Sequence, residues 1–156
     1  MKIVTDELEL RKPCENVKLY EMKGLIKIMP SVVKTMRDGN GCGLAAPQIG
    51  MSKTFFIANV RGRTRLFINP SIIEYSKDVI VEEEGCLSFP GLVVSIERSK
   101  SVKMSFFDYS LKKRTTEIFT GEGARVIQHE YDHLKGIICV LDKAIIFDEK
   151  EEAKLC

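Results

Sequence analysis

Apolar residues along the chain repeat with two different periods, and the change of period divides it. Over 15–37, "ENVKLYEMKGLIKIMPSVVKTMR", Leu19, Met22, Leu25, Ile26, Met29, Val33 and Met36 fall near a 3.6-residue repeat, which predicts a helix. Pro30 sits in its middle and either kinks or divides it, because proline removes a backbone donor and clashes with the preceding turn. The helix should end at "DGNGCG", where Gly39, Asn40 and Gly41 are turn and C-cap residues. From about 53 to 119 the pattern shortens to β-type runs between turn signals: "KTFFIANV", "TRLFINP", "SVKMSFFDY" and "RTTEIFT". A second helix is expected from Thr120, an N-cap without the acidic partner of a capping box, through "GEGARVIQHEYDHLKG" to Gly136. The remaining "IICVLDKAIIFDEKEEAKLC" opens apolar and ends charged, so it should give a short strand or turn and then, at about 148–156, a weakly ordered end. This order of elements fits an α+β fold better than a βαβ alternation: one domain over 1–156, with antiparallel sheets packed around the second helix.

Composition removes several function classes. With 156 residues the chain can bury a core of its own. A net charge of +2 produces no field that selects nucleic acid, and no apolar run is long enough for a signal peptide or a membrane span. A cytoplasmic protein is expected. Five cysteines at irregular spacings argue against a disulfide framework and leave thiols available as ligands.

The chain's only two histidines, His129 and His133, flank Glu130 in "QHEYDHLKG". Four residues apart on a helix, they project from one face at a spacing that suits two imidazoles on one metal ion, and Glu130 lies beside that ion as a general base should. A third ligand is then required. Gly136 and Cys139 nearly complete the pattern HExxHxxGxxH, but the methionine turn of those enzymes is missing, since the last methionine is Met104. Cys86, between Gly85 and Leu87 in "EEEGCLSFPG", is the alternative: thiolate binds divalent transition metals strongly, although an isolated cysteine is more often a buried core residue. In "GCGLAAPQIG", Gly41, Gly43 and Ala46 satisfy a dinucleotide fingerprint only in letters, because Pro47 forbids the helix that should follow. Its small residues suit a segment lying along an extended ligand, and Gln48 offers an amide donor for an oxyanion.

Taken together, "GCGLAAPQIG", "EEEGCLSFPG" and "QHEYDHLKG" closely resemble the three signature motifs of the peptide deformylases, and "LRKPCENV" resembles that family's N-terminal segment. The resemblance implies an α+β metallohydrolase that removes the formyl group from N-formylmethionyl peptides or nascent chains as a monomer near the ribosome. Residue by residue it implies Cys86, His129 and His133 as metal ligands, Glu130 as acid/base, and Gln48 with the Leu87 backbone N–H as the oxyanion hole. Gly43 would pair with the substrate backbone as an added strand, and the methionine side chain would enter a pocket near Val126 and His129. Both imidazoles are expected to donate their second nitrogen to carboxylates, with Glu84 and Asp132 as candidates and Arg98 and Arg125 as partners of those acids. The resemblance favours one Fe(2+) ion, and the softness of the cysteine ligand also admits Zn(2+), Ni(2+) or Co(2+). Three features depart from the family pattern: Pro30 inside the first helix, Val93 where some members carry an arginine, and a short tail after Asp142 like that of organellar and phage-encoded members.

Overall fold

In a computed structural model, residues 1–145 are described, and they form an α+β fold. A short helix α1 (Glu7–Leu10) leads through extended chain and a 3-10 turn to α2 (Met22–Asp38). Then come β1 (Gly43–Ala45), a 3-10 turn Ala46–Ile49, β2 (Phe55–Val60), β3 (Arg63–Tyr75), β4 (Val79–Cys86), β5 (Phe89–Ser99), β6 (Ser101–Asp108) and β7 (Lys113–Thr120). Helix α3 (Gly121–Leu134) and a final turn α4 (Cys139–Asp142) complete it. The strands make two antiparallel sheets, one ordered β1-β2-β3-β6-β7 and the other the hairpin β4-β5. Among the described residues no helix is long and apolar enough to cross a membrane.

Strand β2, "FFIANV", shows how the larger sheet is held. Side chains alternate across a strand, so Phe56, Ala58 and Val60 face α3 and join Phe67, Phe106, Phe119, Ala124, Ile127 and Leu134 in one cluster. Phe55 and Ile57 face the other way, with Leu25, Val32, Met36 and Leu44, so the sheet lies between α2 and α3. A third cluster, Leu10, Cys86, Ile96, Ile138, Cys139 and Val140, fixes the hairpin against α1 and α4.

Several expectations are corrected. Helix α2 starts at Met22 rather than 15, because the preceding chain is committed elsewhere: Glu15 bridges Lys53, and Val17 exchanges hydrogen bonds with the Asn69 side chain. Pro30 does not divide α2, which runs unbroken to Asp38 with the proline exposed. Strand β3 passes beyond "TRLFINP" through Pro70 to Tyr75, and a bulge between Ile68 and Ser71, with Asn69 at positive φ, absorbs the missing donor. The hairpin β4-β5 had no apolar alternation to announce it, since Glu82, Glu83 and Glu84 lie on consecutive strand positions. The apolar start of the tail forms the turn α4, one of the two forms expected of it, and the end at 148–156 lies outside the described residues.

One polar device closes the aromatic cluster. The Arg65 guanidinium lies 5.3, 5.5 and 5.7 Å from the ring centres of Phe67, Phe106 and Phe119, and pairs with both carboxylate oxygens of Glu117 at 2.7 and 2.8 Å. Hydrogen bonding from Arg65 outweighs partial burial and holds the Glu117 carboxyl below its ordinary pKa. A depressed carboxylate contributes stability that is present above its unfolded pKa and lost as pH falls through its folded one. Urea unfolding should therefore show Arg65→Ala less stable by about 1–2 kcal/mol at neutral pH. Glu117→Gln should flatten the loss of stability as pH falls below the ordinary carboxylate range.

Candidate active site

The site forms where the edge of the large sheet, the hairpin and α3 meet. Helix α3 buries both of its sides: Ala124, Ile127 and Leu134 pack on the aromatic cluster, while Gln128, His129, Asp132 and His133 are buried toward the hairpin and Glu130 lies against β1. Such a polar burial is stable only if the groups are partnered. At the helix end Gly136 takes a positive φ, as its predicted capping role requires, and a side chain there would strike the Arg11 backbone.

Cys86 ends β4 at a register shift that turns its side chain toward the two histidines. Cys86 Sγ lies 3.3 Å from His133 Nε2, and one donor atom from each of Cys86, His129 and His133 falls within 4.8 Å of the others. Glu84, His129 and Cys139 form a second such group: Cys139 Sγ is 3.2 Å from His129 Nδ1. That group uses one histidine only, and its carboxylate is engaged by two guanidinium groups. Glu84 Oε1 accepts from Arg98 Nε (2.9 Å) and Arg125 (2.6 Å), and Oε2 accepts from Arg98 (2.9 Å) and faces His129 Nδ1 at 2.9 Å.

The charges are shaped by these contacts. Burial alone would raise the Glu84 carboxyl, but hydrogen bonds from Arg98 and His129 outweigh it and carry the pKa well below the carboxylate range. Burial likewise opposes charge on His129, yet Cys139, Cys86 and Glu84 lift its pKa well above that of an ordinary histidine. The field at this point favours positive charge. His133 is the reverse: burial, with His129 and Arg98 nearby, lowers it to about 3 and keeps the imidazole neutral, the form that ligates metals. Glu130 is raised to about 7, mainly by burial, and its Oε2 has no hydrogen-bond partner among the described residues. One thiol and two imidazoles are a donor set for a first-row divalent cation, so the chemistry of the residues fits a metal.

Sequence reasoning about the outer contacts is half right. Glu84 does partner His129, and both Arg98 and Arg125 hold it. Asp132 does not partner His133: it pairs with Arg98 at 2.5 Å and with Lys143 at 2.7 Å, and His133 Nδ1 has no hydrogen-bond partner among the described residues.

Above the donors lies a cavity of about 630 Å³, lined by residues that include Gly43, Gln48, Leu87, Val126, His129 and Glu130. Gln48 is oriented within the 3-10 turn: its Oε1 accepts from Ala45 N (2.9 Å), which directs Nε2 toward Ser88 Oγ (3.3 Å) and Cys86 Sγ (3.5 Å). Ser88, 1% exposed, escaped sequence reasoning, and its place two residues after Cys86 was the only signal. Gly43 lies on the edge strand, paired with Ala58 on one side and facing the cavity on the other. A Cβ there would come within 2.7 Å of Glu130 Cγ and Cδ, so glycine lets β1 run against the carboxylate. Leu87, in the turn after Cys86, presses its methyl groups on Gly39 and Gly41, where added Cβ atoms would lie 2.7 Å from them.

Comparison with known proteins identifies the family. A model of the polypeptide deformylase family matches residues 1–146. A peptide deformylase of Thermotoga petrophila is 40% identical over 131 residues, 84% of this chain and 79% of the relative. The crystal structure of the Thermotoga maritima peptide deformylase superposes with a TM-score of 0.84 at 38% identity, covering 94% of this chain and 97% of that one. A Plasmodium falciparum peptide deformylase structure gives 0.84 at 31% identity, over 99% and 90%. The cysteine, the two histidines and the glutamate therefore meet in a chain that belongs to the peptide deformylase family.

Proposed function

We propose that Cys86, His129 and His133 hold one divalent metal ion, Fe(2+) before Zn(2+), Ni(2+) or Co(2+), and that the cavity above them hydrolyses the formamide of N-formylmethionyl peptides. The activity is that of the family, a metal-dependent amidohydrolase releasing formate. The observation that carries these residue roles is the meeting of three metal-type donors with the unpartnered carboxylate oxygen of Glu130 in one cavity.

When bound, a divalent cation supplies Lewis acidity and lowers the pKa of a water molecule from 15.7 to roughly 7. Glu130, poised near the same value, takes the proton of the attacking water and returns it to the departing amine. Gln48 Nε2, aimed by the Ala45 contact, donates to the developing oxyanion together with the Leu87 N–H. The free edge of β1 at Gly43 receives the substrate backbone as an added strand, and Val126 with its apolar neighbours receives the methionine side chain. Glu84 fixes the His129 ring through Nδ1, which leaves Nε2 for the metal. A monomer acting on nascent chains near the ribosome is the setting that goes with this chemistry.

Metal-loaded protein should release formate from a short N-formylmethionyl peptide and leave the acetylated peptide intact. No formate from the formylated peptide, with the protein folded, would sink the reading. Cys86→Ser should abolish turnover or change metal content, whereas Cys139→Ser should retain both, and the opposite pattern would move the third ligand to Cys139 and favour a zinc endopeptidase. Gly43→Ala should keep the circular dichroism spectrum while lowering kcat by about 100-fold or more, because the added methyl displaces Glu130.

A further inference from the structure

Helix α2 turns one side to the core, through Leu25, Val32 and Met36, and leaves the other uncovered. On the uncovered side Lys23, Lys27, Pro30, Lys34 and Arg37 are all exposed, and they follow one another in steps of four and three residues, which lines them up on a single stripe. At roughly 1.5 Å per residue the stripe is about 21 Å long. No Asp or Glu occurs between Met22 and Arg37, so the first acid of α2 is its last residue, Asp38, which binds Lys34 at 2.6 Å. Lys23, Lys27 and Arg37, and Lys18 just before the helix, have no ion pair among the described residues. The cations that follow α1 are by contrast paired, Arg11 with Glu7 and Lys12 with Glu9. A net charge of +2 averages over this difference.

The same face carries apolar groups in the open. Leu19 and Tyr20, in the 3-10 turn Leu19–Glu21 that leads into α2, are 76% and 77% exposed. Leu19 extends the stripe by one more step of four ahead of Lys23. Along its flank Ile26, Met29 and Val33, only partly buried, form an open groove with Pro30.

Cations and apolar groups on one helical face fit an anionic lipid surface better than a nucleic acid. Three of the four unpaired cations are lysines, whose stems lie along apolar surface while their heads reach lipid phosphates. Leucine and tyrosine side chains in that plane gain by entering the boundary between headgroups and acyl chains. A phosphate backbone gives them nothing to bury against.

We infer that the outer face of α2, from Leu19 to Arg37, is a docking surface for anionic lipid bilayers, on which the helix lies without crossing. The residues that follow it, Gly39, Asn40 and Gly41, line the cavity, so docking holds that rim of the site beside the lipid. The test pellets the full chain with vesicles of phosphatidylcholine alone and of phosphatidylcholine mixed with phosphatidylglycerol. The protein should bind the mixed vesicles, leave the neutral ones, and dissociate as salt is raised. A lysine near an anionic surface is worth roughly fivefold in binding, so Lys23→Gln with Lys27→Gln should weaken it by about 25-fold. Leu19→Ser with Tyr20→Ser should weaken it with no change in charge. Lys112→Gln with Lys113→Gln removes two exposed cations from the turn between β6 and β7 and should leave binding as it was. All six side chains are exposed, so thermal unfolding should match that of the parent in each variant. No binding of the parent to mixed vesicles, binding that either α2 variant leaves unchanged, or an equal loss in the Lys112 and Lys113 variant overturns the inference. Binding of an RNA oligonucleotide through Lys23 and Lys27, with no vesicle binding, overturns it in favour of nucleic acid.

Discussion

The architecture of the site hangs on a buried carboxylate. Glu84 is 7% exposed and would be costly to bury alone, but it is held by Arg98 from β5 and Arg125 from α3 while it faces His129. The hairpin and the large sheet share no strand pairing, so nothing in the backbone ladder sets the distance from Cys86 to the histidines. That distance is set by the ion-pair cluster, extended through Asp132 to Lys143 and the turn α4, together with the apolar cluster beneath. Deleting one partner from such a cluster leaves a charge without compensation, typically a loss of about 3–5 kcal/mol.

The large sheet contributes position of another kind. With α2 on one face and α3 on the other, its edge strand β1 is immobilised from both sides and presents backbone to the cavity. Glu130 and Gln48 are then fixed relative to that edge, the first by contact with Gly43 and the second by the Ala45 amide. The reacting groups thus sit on rigid elements, the condition under which proximity and oriented donors are most effective.

Much of this could be read from the residues. The four apolar runs became β2, β3, β6 and β7, with β2 buried on both faces and β6 alternating between buried and partly buried positions, and the helix carrying His129 and His133 began and ended where its cap residues stand. The motif residues converge as the resemblance implied. What escaped was set by distant partners. The start of α2 depends on bonds to Lys53 and Asn69, and strand β4 shows three consecutive glutamates because one face meets arginines and the other meets solvent. The role of Ser88 and the turn of Asp132 toward Lys143 likewise need the assembled hairpin and tail.

The seat of Leu87 on Gly39 and Gly41 has a consequence for how the chain avoids error. Slipping a strand by one residue exchanges its two faces, and β4 invites such a slip because its run of glutamates makes neighbouring alignments similar in charge. Leu87 follows Cys86 directly, so a wrong alignment would withdraw its methyl groups from a recess that only two glycines leave open. A small apolar contact thereby favours one alignment of the hairpin, alongside the ion pairs that bring the thiol to the histidines.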